Sequence, residues 1–227
     1  MTGRAAGTRV HAGVLVPWAN TVVEAELHRA SGCSVTWHYA RLVPASRTTG
    51  LDARFLQGLL EAVPAALAQL SALPLRCVYL ACTSAAFMYP DAAQAARQQA
   101  PVTLVSAFDA VRAALAGLTA TRIVLLTPYP DQVTEAEAEM FGRCGVTVTG
   151  RASLGQDDGY DTVTGEQVRK LIPQAGHAAI GEAEAIVLSC TGWPTLDLIP
   201  YLQRDLGKPV LSSNLAIALH AREMEET

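Results

Sequence analysis

Residues 78–87 read VYLACTSAAF and residues 186–195 read IVLSCTGWPT. Each is an apolar run that ends in a Cys-Thr pair followed by a small residue, and Cys82 and Cys190 stand 108 positions apart. A second pair lies upstream. VLVPWANTVVEAEL at 14–27 resembles LLTPYPDQVTEAEAEM at 125–140, each an apolar run, a proline, a short polar turn and an acidic helical stretch. Trp18 and Tyr129 are then 111 positions apart. Downstream, PVTLVSAFDAV at 101–111 corresponds to PVLSSNLAIAL at 209–219, where Pro-Val and a short strand lead into a helix. Features that recur in one order at nearly one spacing mark an internal duplication. The chain therefore divides into a first half, residues 1–116, and a second half, residues 117–227, with the C-terminal helix free to pack back on the first.

Within each half, short β-rich runs alternate with longer Ala/Leu-rich amphipathic segments. Strands are predicted at 9–16, 34–40, 75–81, 102–105, 122–126, 146–149, 185–189 and 210–212. Runs such as VLLT and AIVL are continuously apolar, as strands covered on both faces of a parallel sheet are. Helices are predicted at 21–29, 53–70, 107–116, 133–142, 166–182 and 196–206, with Pro64 and Pro173 set to kink or divide two of them. Thr21 and Glu24 have capping-box spacing, which places a helix start directly after the first strand. The expected architecture is α/β: two pseudo-symmetric Rossmann-like halves, each a four-stranded parallel sheet flanked by helices, with a site in the cleft between them.

Composition narrows the chemistry. The 227 residues are 50% hydrophobic and 17% charged, with net charge −4. That is enough apolar material for a substantial core, and it speaks against disorder and against a basic nucleic-acid surface. No apolar run reaches the length of a membrane span, and MTGRAAGTR carries no secretory h-region. Five cysteines without a Cys-x-x-Cys pair fit neither a disulfide framework nor a structural zinc site, so a reduced cytoplasmic setting is expected. MTGRAAG and EMEET read as solvated tails. G-x-G-x-x-G and G-x-x-x-x-G-K-[ST] are both missing, so no nucleotide cofactor is expected, and no metal.

In open α/β sheets, ligands gather beyond the carboxyl ends of the strands. Cys82 and Cys190 sit at such ends, and the duplication aims both sulfurs at one cleft. Amides at the start of the following turn or helix suit an anion and favour thiolate over thiol. A facing pair of thiols can attack from one side and exchange a proton from the other. A lone cysteine at a strand end is ordinarily a small buried hydrophobe, and Cys33, Cys77 and Cys144 read that way. Asn20 and Tyr129 follow equivalent strands and can hydrogen-bond a carboxylate, although Asn20 is equally placed to cap a helix. Pro17, Thr83, Ser84, Thr191 and Gly192 border the same strand ends. Ser213 and Asn214, beside Ser212, are either caps or ligands. The five histidines show no pairing by spacing and read as surface or packed side chains.

V-P-x-x-N-T-x-x-E at 16–24, A-C-T-S at 81–84, T-P-Y at 127–129, S-C-T-G-x-x-T at 189–195 and L-G-K-P-V-L-S-S-N at 206–214 resemble the maleate cis–trans isomerase family. That family belongs to the aspartate/glutamate racemase superfamily, together with the arylmalonate decarboxylases. The resemblance implies two Rossmann-like halves and a cofactor-independent reaction. It implies that Cys82 adds to a cis-dicarboxylate alkene, that Cys190 acts as acid or base, and that Asn20 and Tyr129 hold carboxylate oxygens. The segment 188–213 is also close to the arylmalonate decarboxylases, which lack the first cysteine.

The loop LGQDDGYDTV at 154–163 places Asp157 or Asp158 where the isomerases carry a further substrate-binding asparagine. Trp18 and Trp193 are bulky for loops around a small diacid. The expected activity is isomerisation of a cis-unsaturated dicarboxylate such as maleate. The alternatives are a two-cysteine racemase of an α-substituted acid, a malonate decarboxylase with Cys190 as proton donor, and a non-catalytic small-acid binder. The expected partners are a small carboxylic acid and a second copy of the chain.

Overall fold

The computed structural model describes residues 9–45 and 50–224. MTGRAAG and the last three residues of EMEET lie outside them. The first half runs β1 (Val10–Pro17), α1 (Val23–Ser31), β2 (Val35–Leu42), α2 (Ala53–Glu61), α3 (Val63–Leu70), β3 (Cys77–Leu80), α4 (Thr83–Met88), α5 (Pro90–Gln99), β4 (Leu104–Ser106) and α6 (Ala107–Gly117). The second runs β5 (Arg122–Thr127), α7 (Asp131–Arg143), β6 (Thr147–Ser153), α8 (Gly165–Ala175), α9 (His177–Glu182), β7 (Ala185–Leu188), α10 (Ile199–Leu206), β8 (Val210–Ser212) and α11 (Ser213–Glu223).

The two sheets have the same topology. Their orders are β2-β1-β3-β4 and β6-β5-β7-β8, and every pairing is parallel. Central strands β3, β5 and β7 are apolar and almost wholly buried, as strands with helices on both faces must be. The duplication extends to side chains. Glu24 of α1 pairs with Arg41 of β2 at 2.5 Å, and their counterparts Glu135 of α7 and Arg151 of β6 form the same ion pair. One apolar cluster spans the two halves, from Val14 and Tyr79 to Ile186 and Trp193. Helix α11 packs on α1 and α6, so the C-terminal helix closes against the first half.

Several helix boundaries depart from expectation for local reasons. The segment 53–70 divides at Ala62 into α2 and α3, with Pro64 in the first turn of α3, where its missing N–H costs nothing. The segment 166–182 breaks at Gly176, whose φ of 94° ends α8 and frees α9 to start. Pro173 stays inside α8. The cap of α1 is not the Thr21–Glu24 box. Asn20 Oδ1 accepts from the amides of Val22 and Val23, while Thr21 Oγ1 donates to Asp161 and Glu24 is held by Arg41. Helix α5 was not foreseen: Ala-rich and largely exposed, it shows little apolar periodicity. Among the described residues, no helix is long and apolar enough to cross a membrane.

Candidate active site

The carboxyl ends of β1, β3, β5 and β7 face a cavity of about 330 Å³ at the junction of the halves. Cys82 follows β3 and Cys190 follows β7, and both line this cavity. So do Pro17, Asn20, Thr83, Ser84, Tyr129, Thr191 and Gly192. Each half thus supplies one sulfur and one polar strand-end residue, Asn20 from β1 and Tyr129 from β5.

The hydrogen bonds explain how these groups are held. Asn20 spends its oxygen capping α1, which leaves its amide to donate to Thr191 Oγ1 at 3.4 Å. It is both cap and wall. Thr191 Oγ1 donates to the carbonyl of Ala81 at 2.8 Å, so the turn after Cys190 is pinned to the strand that precedes Cys82. Ser84 Oγ lies 3.6 Å from Cys82 Sγ, and the amide of Gly192 donates to Cys190 Sγ at 3.2 Å. A Cβ on Gly192 would sit 3.4 Å from the Tyr160 ring, in ordinary van der Waals contact.

Ser213 and Asn214 do not reach the cavity. Both are fully buried behind it: Ser213 Oγ accepts from Thr83 at 3.2 Å, and Asn214 donates to Glu26 and to the carbonyl of Thr191. The cap of α11 is Ser212. Trp18 and Trp193 leave the cavity lining as well, each packed into an apolar cluster. Six lining residues had no sequence signal of their own: Leu51 and Phe55 from the α2 region, Gly159, Tyr160 and Asp161 from the loop after β6, and Ala19. Tyr160 stacks edge-on against Tyr129, with centroids 5.6 Å apart. Of the two candidate aspartates, Asp158 lines the cavity.

Burial governs the ionisation of the site. The expectation that nearby amides would give thiolates is corrected here: burial pushes both thiols up. For Cys82 the Ser84 hydroxyl and the amides of Ala85 and Ser84 work in the opposite direction. Cys190 is pushed up to about 12 by burial, against the pull of the Tyr129 hydroxyl and the Gly192 amide, and Cys82 and Glu137 add to the rise. Tyr129 is raised well above an ordinary phenol by burial first, then by Cys190 and Glu137. The two sulfurs therefore start mainly as thiols, with more donors gathered on Cys82. Among the described residues, no group of three or more His, Cys, Asp or Glu side chains is placed to hold a metal ion.

A family profile of arylmalonate decarboxylases matches residues 52–225. The chain belongs to this family. Arylmalonate decarboxylase from Bordetella bronchiseptica is 36% identical over 118 residues, covering 51% of this chain and 48% of that protein, so the match spans about half of the relative's length. Maleate isomerase from Nocardia farcinica is 27% identical over 224 residues, covering 90% of this chain and 85% of the other. A solved structure of the Nocardia farcinica isomerase, a cysteine-to-serine mutant with a covalently bound succinylcysteine intermediate, superposes with a TM-score of 0.80. It is 22% identical and covers 95% of this chain and 94% of that one. The chain is thus similar to proteins of two named activities and shares the fold of the Nocardia isomerase.

Proposed function

We propose that the chain is a cis–trans isomerase of a small cis-unsaturated acid of the maleate type, working through Cys82 and Cys190. The observation that carries this reading is the second sulfur, Cys82, in the same cavity as Cys190. Protonating the carbanion left by loss of CO2 needs one acid. Adding to an alkene needs a nucleophile and an acid together, and this cavity holds both.

The surroundings of the two sulfurs suit different roles. Cys82, with the Ser84 hydroxyl and two amides around it, carries a negative charge more easily. Cys190, pushed up to about 12, keeps its proton until a basic carbon is presented to it. Cys82 first releases its thiol proton to solvent; the thiolate adds to one alkene carbon, and the π electrons move toward the carboxylate on the other. The Cys190 thiol delivers its proton to that second carbon, so a C–S and a C–H bond form as the π bond is lost. The remaining single bond rotates. The Cys190 thiolate then removes a proton, the C–S bond breaks, and the trans acid leaves with both sulfurs restored. Asn20, through its second amide hydrogen, and Tyr129 offer donors to the enolate-like charge that develops. The succinylcysteine held by the Nocardia relative is what addition and protonation of maleate would give, and so supports this sequence.

The test is purified chain with maleate, followed by proton NMR for fumarate. Cys82→Ala is expected to abolish turnover and Cys190→Ala to lower it by about 10²–10⁴. No turnover by wild type, or full activity in Cys82→Ala, overturns the reading. A second reading rests on the outer cavity wall of Leu51, Phe55 and Tyr160, which would accept an aryl group. Release of CO2 from phenylmalonate that survives Cys82→Ala would replace isomerisation by decarboxylation, with Cys190 as the proton donor.

A further inference from the structure

Glu26 and Glu137 occupy equivalent places on α1 and α7, 111 positions apart like Trp18 and Tyr129. Both are buried, yet their surroundings differ. Oε1 of Glu26 accepts from the amides of Thr195 and Leu196, both at 2.7 Å, and Oε2 accepts from Asn214 at 2.8 Å and Thr195 Oγ1 at 3.3 Å. Those amides are available because the stretch after Cys190 is a turn. The equivalent stretch after Cys82 is α4, whose early amides at Ser84 and Ala85 turn to Cys82 and whose later ones close its own turns. Glu137, which faces it, has Ser189 Oγ on Oε1, while its Oε2 is buried without a hydrogen-bond partner. Ser189 directly precedes Cys190.

We propose that Glu137 is a positioning residue of the cysteine site, held as a neutral carboxylic acid beneath Ser189 and Cys190. An ionised carboxylate with one bare oxygen in an apolar interior is strongly disfavoured, whereas the neutral acid can leave a carbonyl oxygen bare at far smaller cost. Among the described residues, the cations around α7 are paired elsewhere. Helix α4 brings no titratable group to α7, Arg151 of β6 is tied to Glu135, and Arg122 of β5 is tied to Glu184. On the α6 side Asp109 is paired with Arg97 and Arg112, and on α7 itself Glu139 is paired with Arg143, while Asp131 takes a hydrogen bond from Ser153. From the cavity come Tyr129 and Cys190, both of which feel the charge of Glu137. Burial accordingly pushes Glu137 up to about 8. While it is neutral, the only charge on this wall is the one Cys190 acquires when it gives up its proton. Once Glu137 ionises, a second negative charge stands beside that sulfur and opposes it.

Two measurements test this without turnover. In the full chain labelled with ¹³C-glutamate, infrared spectra at pH 7 should show a protonated carboxylic acid band that fades as the pH passes about 8 and is absent in Glu137→Gln. Iodoacetamide alkylation of Cys190, mapped by mass spectrometry against pH, should reach its midpoint at lower pH in Glu137→Gln. At a given alkaline pH the rate should be about tenfold higher, because Glu137 is charged in wild type before Cys190 titrates. Glu137→Asp should keep the higher midpoint. A purely structural role would alter thermal stability and leave the midpoint in place. No acid band in folded wild type, or equal midpoints in wild type and Glu137→Gln, overturns the proposal. If Glu137→Gln does not fold, the wild-type infrared titration decides.

Discussion

Glu26 ties the cysteine-bearing turn of the second half to a helix of the first, and Glu26→Ala removes the whole anchor. Its carboxylate is the acceptor for the buried amides of Thr195 and Leu196, and it shares Asn214 Nδ2 with the carbonyl of Thr191. In the alanine variant the two amides lose this acceptor, while Asn214 keeps Thr191. An orphaned buried donor costs about 1–3 kcal/mol, which sets a loss of about 2–6 kcal/mol, and relief of the desolvated carboxylate brings it toward the middle of that range. For a domain of this size about 3 kcal/mol lowers Tm by about 6–12 °C. Glu26→Gln keeps one oxygen for the two amides and should lose less than half as much. Thermal and urea unfolding of both variants, read at constant m, give the comparison. Freed from Glu26, the turn that follows Cys190 should also expose that sulfur to faster alkylation. A Glu26→Ala midpoint within about 1 °C of wild type would refute the account of this carboxylate as a structural anchor.

The pseudo-symmetric Glu137→Gln should change stability in the opposite direction, and with pH. Between about 4.5 and 8 the unfolded chain has released a proton that folded wild type still holds, so wild-type stability falls across that window and levels off above it. Glutamine removes the loss, and its gain over wild type in urea unfolding should be small at pH 4 and reach a few kcal/mol by pH 8; equal stability at both pH values would contradict it. Gly192→Ala places a methyl group 3.5 Å from Cys190 Sγ and 3.4 Å from the Tyr160 ring, ordinary contact distances. It should melt close to wild type while maleate turnover falls at least tenfold through the narrowed cavity; unchanged turnover would put the substrate elsewhere.

The fold was legible because it is written twice. Apolar runs at the β3 and β7 positions and the repeated Pro-turn-acidic helix segments mark strand order and the pairing of the halves, and a parallel sheet turns that order into one shared cleft. Cys82, Cys190, Asn20 and Tyr129 were legible for the same reason: they sit at strand ends. Leu51, Phe55 and Tyr160 were not. They come from the segments after β2 and β6, which correspond in the fold but do not repeat in sequence, and only tertiary packing brings them to the mouth. Ser213 and Asn214 were misplaced because a polar residue after a strand can turn toward the cleft or away from it, and Glu26 decides which for Asn214. Thiol ionisation was misread because amides are visible in sequence and burial is not.

One local difference between the halves accounts for the unlike roles of otherwise matching residues. After Cys82-Thr83 the chain continues Ser-Ala-Ala-Phe within helix α4; after Cys190-Thr191 it continues Gly-Trp-Pro-Thr, where Gly192 and Pro194 keep a helix from forming. The helix brings the Ser84 and Ala85 amides to Cys82, whereas Cys190 receives one amide, from Gly192. The turn leaves the Thr195 and Leu196 amides for Glu26, whereas the helix withholds its own from Glu137. The proposed nucleophile and acid, and the anchored Glu26 and proposed neutral Glu137, are thus linked outcomes of helix against turn. A chain that copied the first-half sequence Ser-Ala-Ala-Phe after Thr191 would be expected to lose the anchor of Glu26 and the contrast between the two sulfurs together.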